Sequence, residues 1–428
     1  MSREKQPKAD LPRKIFMKKR VVITGMGAIT PVGNTVKETW GSLLAGKSGI
    51  GPITIFDSSQ HDVHIAGEIK GFDPLEVLEK KELKRIPRFI QYALKASKEA
   101  IGMSKLDLNS INKDRVAVLI GSGIGGLNVI EEQQTIFLQK GPGRVSPFLI
   151  PMLIPNMAAA FVSIKYGFRG PNFTIVTACA TGSHSIGEAY KLIQRGDADI
   201  AVAGGVEGAI TPLGLAGFCS AKSLSTRNNE PEKASRPFDK DRDGFVMSDG
   251  GGIVILETLE GALARGAEIF GEIAGYAASD DAYHMTAPPE NGEGGALSMK
   301  NSLNDAYIKP EDINYINAHG TSTLIGDIAE TRGIKSVFGD HAKKIAINST
   351  KSMAGHMLGG TGAVEFIVTL LSIKNNIVHP TINLDNPDPE CDLDYVPKVK
   401  REMEVNYGLS NSFGFGGHNA TLIAKKYR

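Results

Sequence analysis

Short aliphatic runs that end in glycine recur along this chain, and stretches with helical periodicity separate many of them. The runs lie at residues 20–27, 115–126, 172–182 and 198–208, and then at residues 313–323, 344–356 and 406–426. HSIGEAYKLIQRGDAD and GAVEFIVTLLSIKNN are two of the helical stretches. Alternation of strands with helices is typical of an α/β fold whose sheets are covered by helices on both faces.

Two of these regions share the same pattern of residues. TIVTACATGSHSIGEAYKLIQ and KIAINSTKSMAGHMLGGTGAVEFIVTLL both read as strand, hydroxyl residue, reactive residue, glycines and helix. In this alignment Cys179 takes the place that Lys351 takes in the other copy. The shared pattern predicts a duplicated unit, with residues 258–275 joining the halves. The sequence has no repeat with a period of 20–50 residues, which argues against a solenoid.

Length and charge set the broad class. With 428 residues the chain is long enough for two domains, or for one large core built from two similar halves. A net charge of +1 gives no global attraction to nucleic acid or to a membrane surface, and no apolar run approaches the roughly 20 residues of a membrane span. Residues 1–18 are basic and lack the apolar core of a secretory signal, so we expect a disordered tail there.

The chain contains three cysteines, Cys179, Cys219 and Cys391, which are widely spaced and form no CxxC pair. An odd, scattered set argues against a disulfide framework and against a zinc ribbon. It favours a protein of a reducing compartment.

Two motifs resemble ligand-binding loops but are incomplete. GSGIGG at residues 121–126 matches G-x-G-x-x-G after a strand, yet no acidic residue follows about 20 positions later, as a dinucleotide fold requires. DKDRDG at residues 239–244 begins like a calcium loop, but its twelfth position is Gly250 instead of glutamate. We therefore expect neither nucleotide nor calcium binding at these loops.

Cys179 lies between a strand pattern and a helix pattern, among the small residues of ACATG. The N–H groups at a helix start lower the pKa of a thiol and can approach a developing oxyanion. Taken alone, the position is equally compatible with a buried structural cysteine. His319, Lys351 and His356 also lie at glycine-flanked strand–turn–helix junctions. Their presence favours a catalytic group, although spacing alone leaves open whether the four residues converge.

Four motifs carry a family resemblance: ACATG around Cys179, AHGTST at 318–323, STKSMAGHMLG at 349–359 and SNSFGFGGHN at 410–419. From about residue 19 to residue 426 the chain resembles the β-ketoacyl-[acyl carrier protein] synthases, in particular the elongating synthase II type. The resemblance implies a thiolase-like fold, in which two duplicated α/β halves form five layers, αβαβα, and a homodimer. The halves would span residues 19–262, with the nucleophile, and residues 263–428, with the catalytic histidines.

The resemblance also implies a reaction. Cys179 takes an acyl chain from acyl carrier protein, malonyl carrier protein loses carbon dioxide, and its carbanion attacks the acyl-enzyme, so that a fatty acid grows by two carbons. His319 and His356 are implied to donate hydrogen bonds to the thioester oxygen during decarboxylation. The other implied roles are an oxyanion hole at the N–H groups of Cys179 and Phe415, gating at Phe413 and Phe415, pantetheine contacts at Thr321 and Thr323, an acyl pocket at Ile124, and a Lys351–Glu365 ion pair.

The implied partner is an acyl carrier protein, whose 4'-phosphopantetheine carries the substrates, so the resemblance implies no separate cofactor and no metal. Carrier proteins of this family are acidic, and the chain has a basic segment at residues 79–89. Positions that match the family's docking site are Lys81, Lys84, Arg85, Arg144 and Lys222. A basic segment is otherwise read as a solvated face. The implied location is the bacterial cytoplasm, with an organellar stroma or matrix as the alternative.

The chain departs from the family pattern at His418, where FGGTN usually has threonine, and we expect hydrogen bonding beside the gate to differ there. A degradative thiolase would need a second cysteine in the SFGFGGHN region, which has none. A chain-length partner subunit would lack Cys179. A condensing domain of polyketide assembly uses the same triad and stays open, and the sequence does not determine the preferred acyl length.

Overall fold

The computed structural model describes residues 18–428, so the tail expected over residues 1–18 lies outside the described residues except for Lys18, whose Nζ donates to Asp305 Oδ1 at 3.0 Å. The strands are β1 Val21–Ile29, β2 Gly51–Pro52, β3 Ile65–Ala66, β4 Val116–Gly121, β5 Ile200–Glu207, β6 Gly250–Thr258, β7 Gly271–Asp280, β8 Tyr315–Asn317, β9 Ala346–Asn348, β10 Ile377–Val378, β11 Arg401–Glu402, β12 Tyr407–Gly414 and β13 His418–Lys425. The helices are α1 Val36–Leu44, α2 Arg88–Ser104, α3 Leu127–Lys140, α4 Leu149–Leu153, α5 Met157–Tyr166, α6 Thr181–Arg195, α7 Pro212–Ser220, α8 Leu259–Ala264, α9 Glu293–Ala306, α10 Leu324–Phe338, α11 Lys351–Ala354 and α12 Thr361–Asn375.

Two similar sets of strands form the main sheet, whose order in the described chain is β4-β5-β6-β1-β7-β13-β12-β8-β9. In the first set β1 is antiparallel to β6, β6 is antiparallel to β5, and β5 is parallel to β4. The second set repeats these pairings, from β7 through β13 and β12 to β8. A short antiparallel contact between β1 and β7 joins the sets. The predicted duplication is therefore present as a repeated topology.

The strands are buried on both faces, and alternate residues belong to different cores. In β4, Ala117 and Leu119 pack in a central cluster with residues of α6 and α12. Val118 and Ile120, on the other face, pack in a second cluster with α2 and α5. A third cluster joins β8, β12 and β13 to α9 and α10. The layers are thus α2 with α5, the first strand set, α6 with α12, the second strand set, and α9 with α10, which is the predicted αβαβα arrangement.

Glycines allow α6 and α12 to meet at the centre of the molecule. A Cβ on Gly205 of β5 would lie 2.2 Å from the Gly359 carbonyl oxygen and 2.8 Å from Gly182 Cα, so no side chain fits there. A Cβ on Gly182 would lie 2.9 Å from the backbone nitrogen of Ala363. This close packing brings the first turns of the two helices together, where the candidate site lies.

Two predicted strands differ from the structure. Of the run predicted at residues 172–182, Asn172 forms a bridge to Val118, residues 173–177 continue past it without joining the sheet ladder, and the turn and helix that carry Cys179 follow. Residues 406–426 form a hairpin of β12 and β13 that turns at Phe415–Gly417. The boundary predicted between residues 262 and 263 falls in α8, between the strand sets, and stays a prediction. No helix within residues 18–428 has both the length and the apolar character needed to cross a membrane.

Candidate active site

The candidate nucleophile occupies a tight turn. Cys179 lies in the 3-10 turn Ala178–Ala180, immediately before α6, and Ala178 has the left-handed φ of 48° that non-glycine residues seldom adopt. The second half has a turn of the same conformation, Leu358–Gly360, immediately before α12, and the φ of Leu358 is 45°. Cys179 therefore corresponds to Gly359. The alignment of Cys179 with Lys351 was wrong, because residues 349–357 are inserted before the second turn and carry Lys351 and His356.

His356 contacts the nucleophile directly. Its Nε2 lies 3.0 Å from Cys179 Sγ, and its Nδ1 lies 3.0 Å from Thr361 Oγ1. Within the described residues His356 Nδ1 is the hydrogen-bond partner found for the Thr361 hydroxyl, which needs an acceptor for its proton. The hydroxyl therefore donates to Nδ1, and the proton of the neutral ring lies on Nε2, facing the sulfur.

His319 lies beside His356 and is positioned through its backbone. The two imidazole centroids are 5.5 Å apart and nearly perpendicular, and the His319 centroid lies 5.6 Å from that of Phe413. The His319 N–H donates to Glu330 Oε1 at 2.9 Å, and its carbonyl accepts from Lys351 Nζ at 2.6 Å. In residues 18–428, His319 Nδ1 is buried without a hydrogen-bond partner.

Lys351 lies beneath the histidines. Its Nζ also donates to Glu365 Oε1 at 2.6 Å, and both side chains are almost completely buried. Burying an ammonium without a partner is costly, so the carboxylate of α12 offsets its charge. The sequence placed these two residues together on the family resemblance, and they are in contact. Lys351 does not line the pocket, and its short bonds to His319 and Glu365 leave it as a support for the His319 loop.

Burial dominates the electrostatics of the site. It raises the pKa of the Cys179 thiol to about 12, although the Lys351 ammonium and the backbone N–H groups of Phe415 and Cys179 oppose the rise. The backbone N–H groups lower the pKa in the expected direction, but the enclosed sulfur loses more solvation than they return, so the net shift is upward. Burial, and then the Lys351 ammonium, hold the pKa of His319 and His356 well below the usual range. Both imidazoles are therefore neutral near pH 7.

A cavity of about 480 Å³ opens above these residues. Its lining is mostly apolar and includes these predicted site residues: Ile124, Cys179, Lys222, His319, Thr321, Thr323, His356, Phe413 and Phe415. Thr321 Oγ1 and Thr323 Oγ1 are 2.9 Å apart near its mouth, at the start of α10. Phe415 is 37% exposed in the β12–β13 turn, between glycines. The cavity thus joins a thiol, two neutral imidazoles and a path to solvent.

The remaining basic residues lie outside the cavity. Lys81 Nζ pairs with Glu79 at 2.7 Å on the surface. The Arg85 guanidinium lies 4.4 Å from the centroid of the Phe148 ring, and Arg144 belongs to the 3-10 turn Pro142–Arg144. Lys84 contributes to the same exposed segment. Of the five predicted docking residues, only Lys222 reaches the cavity wall.

Sequence reasoning missed three residues that hold the site together. Glu330 accepts from the N–H groups of His319 and Gly320, at 2.9 and 2.8 Å, and from Asn411. Thr361 fixes His356, and the buried Glu207 binds the loop around Ile124. Glu207 could have been found from the sequence, because an acidic residue among the small residues of GGVEG at a strand end is unusual. Glu330 and Thr361 lie in helices, where the sequence does not distinguish them from ordinary helical residues.

The two incomplete motifs have internal roles. The N–H groups of Gly123 and Ile124 in GSGIGG donate to Glu207, so a protein carboxylate occupies the position of a bound anion. Asp239 of DKDRDG pairs with Arg236 and accepts from the backbone N–H groups of residues 241, 385 and 386. Among residues 18–428, no group of three or more His, Cys, Asp or Glu side chains is arranged to hold a metal ion.

Family models match both halves of the chain. Residues 18–262 match the beta-ketoacyl synthase N-terminal domain, and residues 270–385 match the beta-ketoacyl synthase C-terminal domain. The chain belongs to the β-ketoacyl synthase family. The predicted family, the thiolase-like fold and the enzyme class, a condensing acyltransferase, are thereby confirmed.

Curated relatives in the β-ketoacyl synthase family match almost the whole chain. A 3-oxoacyl-[acyl-carrier-protein] synthase 2 of Synechocystis sp. is 57% identical over 411 residues, which cover 96% of this chain and 99% of the relative. The protein with the same name in Staphylococcus aureus strain COL is 53% identical over 409 residues, with the same coverage.

Solved structures of ketosynthases share the fold. A β-ketoacyl synthase from Burkholderia phymatum is 36% identical with a TM-score of 0.90, and covers 96% of this chain and 100% of its own. A type II polyketide ketosynthase, solved in complex with its acyl-carrier protein and bound to the hexaketide, is 35% identical with a TM-score of 0.89 and the same coverage.

Proposed function

We propose that this chain is a 3-oxoacyl-[acyl carrier protein] synthase that elongates fatty acids by two carbons. The observation that carries the proposal is the geometry of the cavity, in which Cys179 Sγ lies 3.0 Å from His356 Nε2 with His319 alongside. The proposal is supported by relatives that bear this name at 53–57% identity.

In the first half-reaction the Cys179 sulfur attacks the thioester carbonyl of acyl carrier protein. The carbon–sulfur bond to pantetheine breaks, the acyl chain moves to Cys179, and the thiol proton leaves with the pantetheine sulfur. The N–H groups of Cys179 and Phe415 hold the oxyanion of the intermediate, since both already favour negative charge on the sulfur by lowering the pKa of the thiol. Because the resting sulfur is a thiol, the Nε2–H of His356 supports negative charge on it as the proton departs.

In the second half-reaction malonyl carrier protein loses carbon dioxide. Negative charge develops on its thioester oxygen, where the neutral imidazoles of His356 and His319 donate hydrogen bonds. The carbanion attacks the acyl-Cys179 carbonyl, a carbon–carbon bond forms, and the Cys179 thiolate leaves and takes up a proton. The product is a 3-oxoacyl carrier protein two carbons longer than the acyl group that entered.

The arm that delivers both substrates runs past Thr321 and Thr323, whose hydroxyls line the cavity mouth. Ile124 borders the acyl end of the cavity, and Phe415 at the β12–β13 turn gates it, with Phe413 packed on His319. Carrier-protein docking uses the exposed cations Lys81, Lys84, Arg85, Arg144 and Lys222. It is supported by the ketosynthase relative that was solved with its acyl-carrier protein.

The protein acts as a homodimer joined at an open sheet edge. Residues 173–176 continue along the outer side of β4, no strand within residues 18–428 lies on their far side, and the apolar side chains of Phe173 and Val176 are 42% and 51% exposed. Ile164 of the adjoining α5 is 73% exposed. An apolar open edge is a template for pairing with a second copy, and a twofold axis makes such a contact self-complementary. A cytoplasmic location completes the proposal, in keeping with the bacterial relatives.

The decisive experiment mixes the purified protein with acyl- and malonyl-loaded carrier proteins and measures 3-oxoacyl product over acyl donors of several lengths. Wild type should form product and Cys179→Ala should form none. An inactive wild type, or an undiminished Cys179→Ala, contradicts the proposal. The second candidate function is polyketide condensation, which the 35% identical polyketide ketosynthase supports. If it is correct, the protein should prefer polyketide acyl starters over simple fatty acyl donors.

The two histidine roles are tested apart from acyl transfer. Cys179→Gln should lose condensation and still release carbon dioxide from malonyl carrier protein. Adding His319→Ala or His356→Ala to that variant should slow the release by about a hundredfold, the typical cost of losing one oxyanion donor. If both double variants release carbon dioxide at the rate of Cys179→Gln, the oxyanion roles are wrong.

A further inference from the structure

Glu207 ends strand β5 inside the protein and has no part in the reaction steps above. Its side chain is fully buried. The carboxylate accepts four hydrogen bonds: at Oε1 from Ser122 Oγ at 2.6 Å and from the Ile124 N–H at 3.2 Å, and at Oε2 from the N–H groups of Gly123 and Gly359 at 2.9 and 3.1 Å. Three of the four donors are backbone groups that cannot act as acceptors, so the arrangement favours the ionised carboxylate. Burial acts in the opposite direction and raises the pKa of Glu207, while the four hydrogen bonds lower it.

These donors come from two separate walls of the cavity. Gly123 and Ile124 belong to the loop between β4 and α3, whose Ile124 side chain lines the cavity. Gly359 belongs to the 3-10 turn before α12, between His356, which contacts Cys179, and Thr361, which fixes the His356 ring. One carboxylate thus spans the distance between the acyl wall and the catalytic wall.

The glycines on both walls provide the room that the carboxylate occupies. A Cβ on Gly123 or on Gly359 would lie 2.9 Å from Glu207 Oε2. Gly359 also approaches Gly123 closely, since its Cβ would lie 2.6 Å from the Gly123 nitrogen. The two loops therefore touch through backbone atoms, and Glu207 is the side chain that bonds to both.

We infer that Glu207 is a positioning residue that sets which acyl lengths Cys179 accepts, because it holds the Ile124 loop at a fixed distance from the turn that follows His356. The inference rests on the proposed condensation. A loosened Ile124 loop changes the depth of the acyl cavity and therefore alters the choice between donors, whereas a loosened Gly359 turn affects every donor alike.

The same carboxylate acts on the nucleophile through its charge. Burial is the main cause of the high pKa of the Cys179 thiol, and the negative charge of Glu207 adds to it. Removing that charge favours the thiolate, so the pKa of Cys179 falls and more thiolate is present at a given pH. A residue that only supports the fold would not change the pKa of Cys179 in this way, so the pKa distinguishes the two roles.

The test compares Glu207→Gln with Glu99→Gln. Glu99 also accepts two backbone N–H bonds, from Ala28 and Val36, but lies in α2 away from the cavity. In Glu207→Gln we expect the ratio of kcat/KM for long and short acyl donors to change by about tenfold, the discrimination typical of one methylene in an apolar pocket. We also expect the pH profile of Cys179 alkylation by iodoacetamide to move to lower pH. Glu99→Gln should change neither.

An unchanged donor ratio in folded Glu207→Gln overturns the inference, as does an equal loss with every donor. If Glu207→Gln does not fold, Ser122→Ala is the second variant: it removes the 2.6 Å bond to Glu207 and, within the same loop, the bond that Ser122 Oγ accepts from the Gly125 N–H at 3.0 Å. An unchanged donor ratio in that variant overturns the inference as well. Failure of the proposed function looks different, because wild type would then make no 3-oxoacyl product with any donor.

Discussion

Thr361 decides which nitrogen of His356 carries the proton. Its hydroxyl lies 3.0 Å from His356 Nδ1, and with its proton given to Nδ1 the ring presents Nε2–H to Cys179 and to the oxygen of a bound thioester. The catalytic donor is thus set by a residue at the start of α12 that never touches substrate. At this scale the chemistry depends on the tautomer as much as on the identity of the histidine.

Replacing Thr361 with valine should weaken this control. In the Cys179→Gln background we expect malonyl decarboxylation to fall about tenfold in Thr361→Val, because nothing then favours the Nε2–H tautomer. Thr361→Ser keeps the hydroxyl and should retain the rate. The measurement is carbon dioxide release from malonyl carrier protein. Equal rates in the valine and serine variants would show that the tautomer is set elsewhere.

The pH dependence of decarboxylation follows from the lowered pKa values of the two histidines. Burial keeps His319 and His356 neutral as the pH falls through the usual histidine value of about 6.5. Carbon dioxide release by Cys179→Gln should therefore be flat between about pH 6 and pH 8. Protonation, and with it loss of the native site, is expected only at lower pH. A rate that changes severalfold with an inflection near the usual value contradicts neutral, shielded imidazoles.

At the scale of elements, the site depends on how closely two helices and a strand approach. The turns before α6 and α12 each begin with a residue of left-handed φ, Ala178 in one and Leu358 in the other. The two turns meet beside Gly205 of β5, where a Cβ would lie 2.2 Å from the Gly359 oxygen. Both catalytic walls are therefore placed by backbone contact between the halves. A change in this crossing would move Cys179 relative to His356.

Gly205→Ala should destabilise the protein by about 3 kcal/mol or prevent folding, because the new methyl group collides with backbone that cannot withdraw. Gly102→Ala is the matched change in α2, where no atom lies within 4 Å of the added Cβ, and it should stabilise by about 0.5–1 kcal/mol. Urea unfolding monitored by circular dichroism measures both. A Gly205→Ala protein as stable as wild type would mean that the helices pack less closely than described.

At the scale of the whole molecule, one edge of the main sheet has a partner segment, and the other edge has none within residues 18–428. Beyond β9, the N–H of Ile347 donates to the Asp394 carbonyl, so that edge has a partner. At the other edge, residues 173–176 run along the outside of β4 and expose the apolar side chains of Phe173 and Val176. The open edge lies directly before the Cys179 turn, so pairing there would also brace the nucleophile.

Val176→Asp should convert the proposed dimer to a monomer, because a carboxylate would be buried against the twofold contact. Leu263→Asp is the control, since Leu263 of α8 is similarly exposed, at 55%, on another part of the surface. Sedimentation velocity of the three proteins measures the mass. A dimeric Val176→Asp, or a monomeric wild type, contradicts the proposed interface.

Much of the architecture and the central residues could be predicted from the sequence, for local reasons. Alternating strands and helices indicated the α/β class, and the shared pattern around Cys179 indicated duplication. His319, Lys351 and His356 stood out because they lie in glycine-containing segments that follow a strand, where a side chain can reach a cavity. The family resemblance added the Lys351–Glu365 contact. All of these signals lie in short stretches of chain, where spacing and residue type carry information.

Only the tertiary structure decided the rest, because it depends on which distant segments meet. The correspondence of Cys179 with Gly359 appears once the two turns are compared as geometry, and the high pKa of the thiol follows from enclosure that no local pattern records. Glu207 gains its role from partners more than 80 positions away, Glu330 from a loop that precedes its helix and from Asn411, 81 positions away, and Thr361 from its contact with the His356 ring. The sequence by itself determined which reactive side chains are present and that they lie between strands and helices. Packing determined their protonation, the distances between them and the residues that hold them in place, since desolvation and hydrogen bonding act through space.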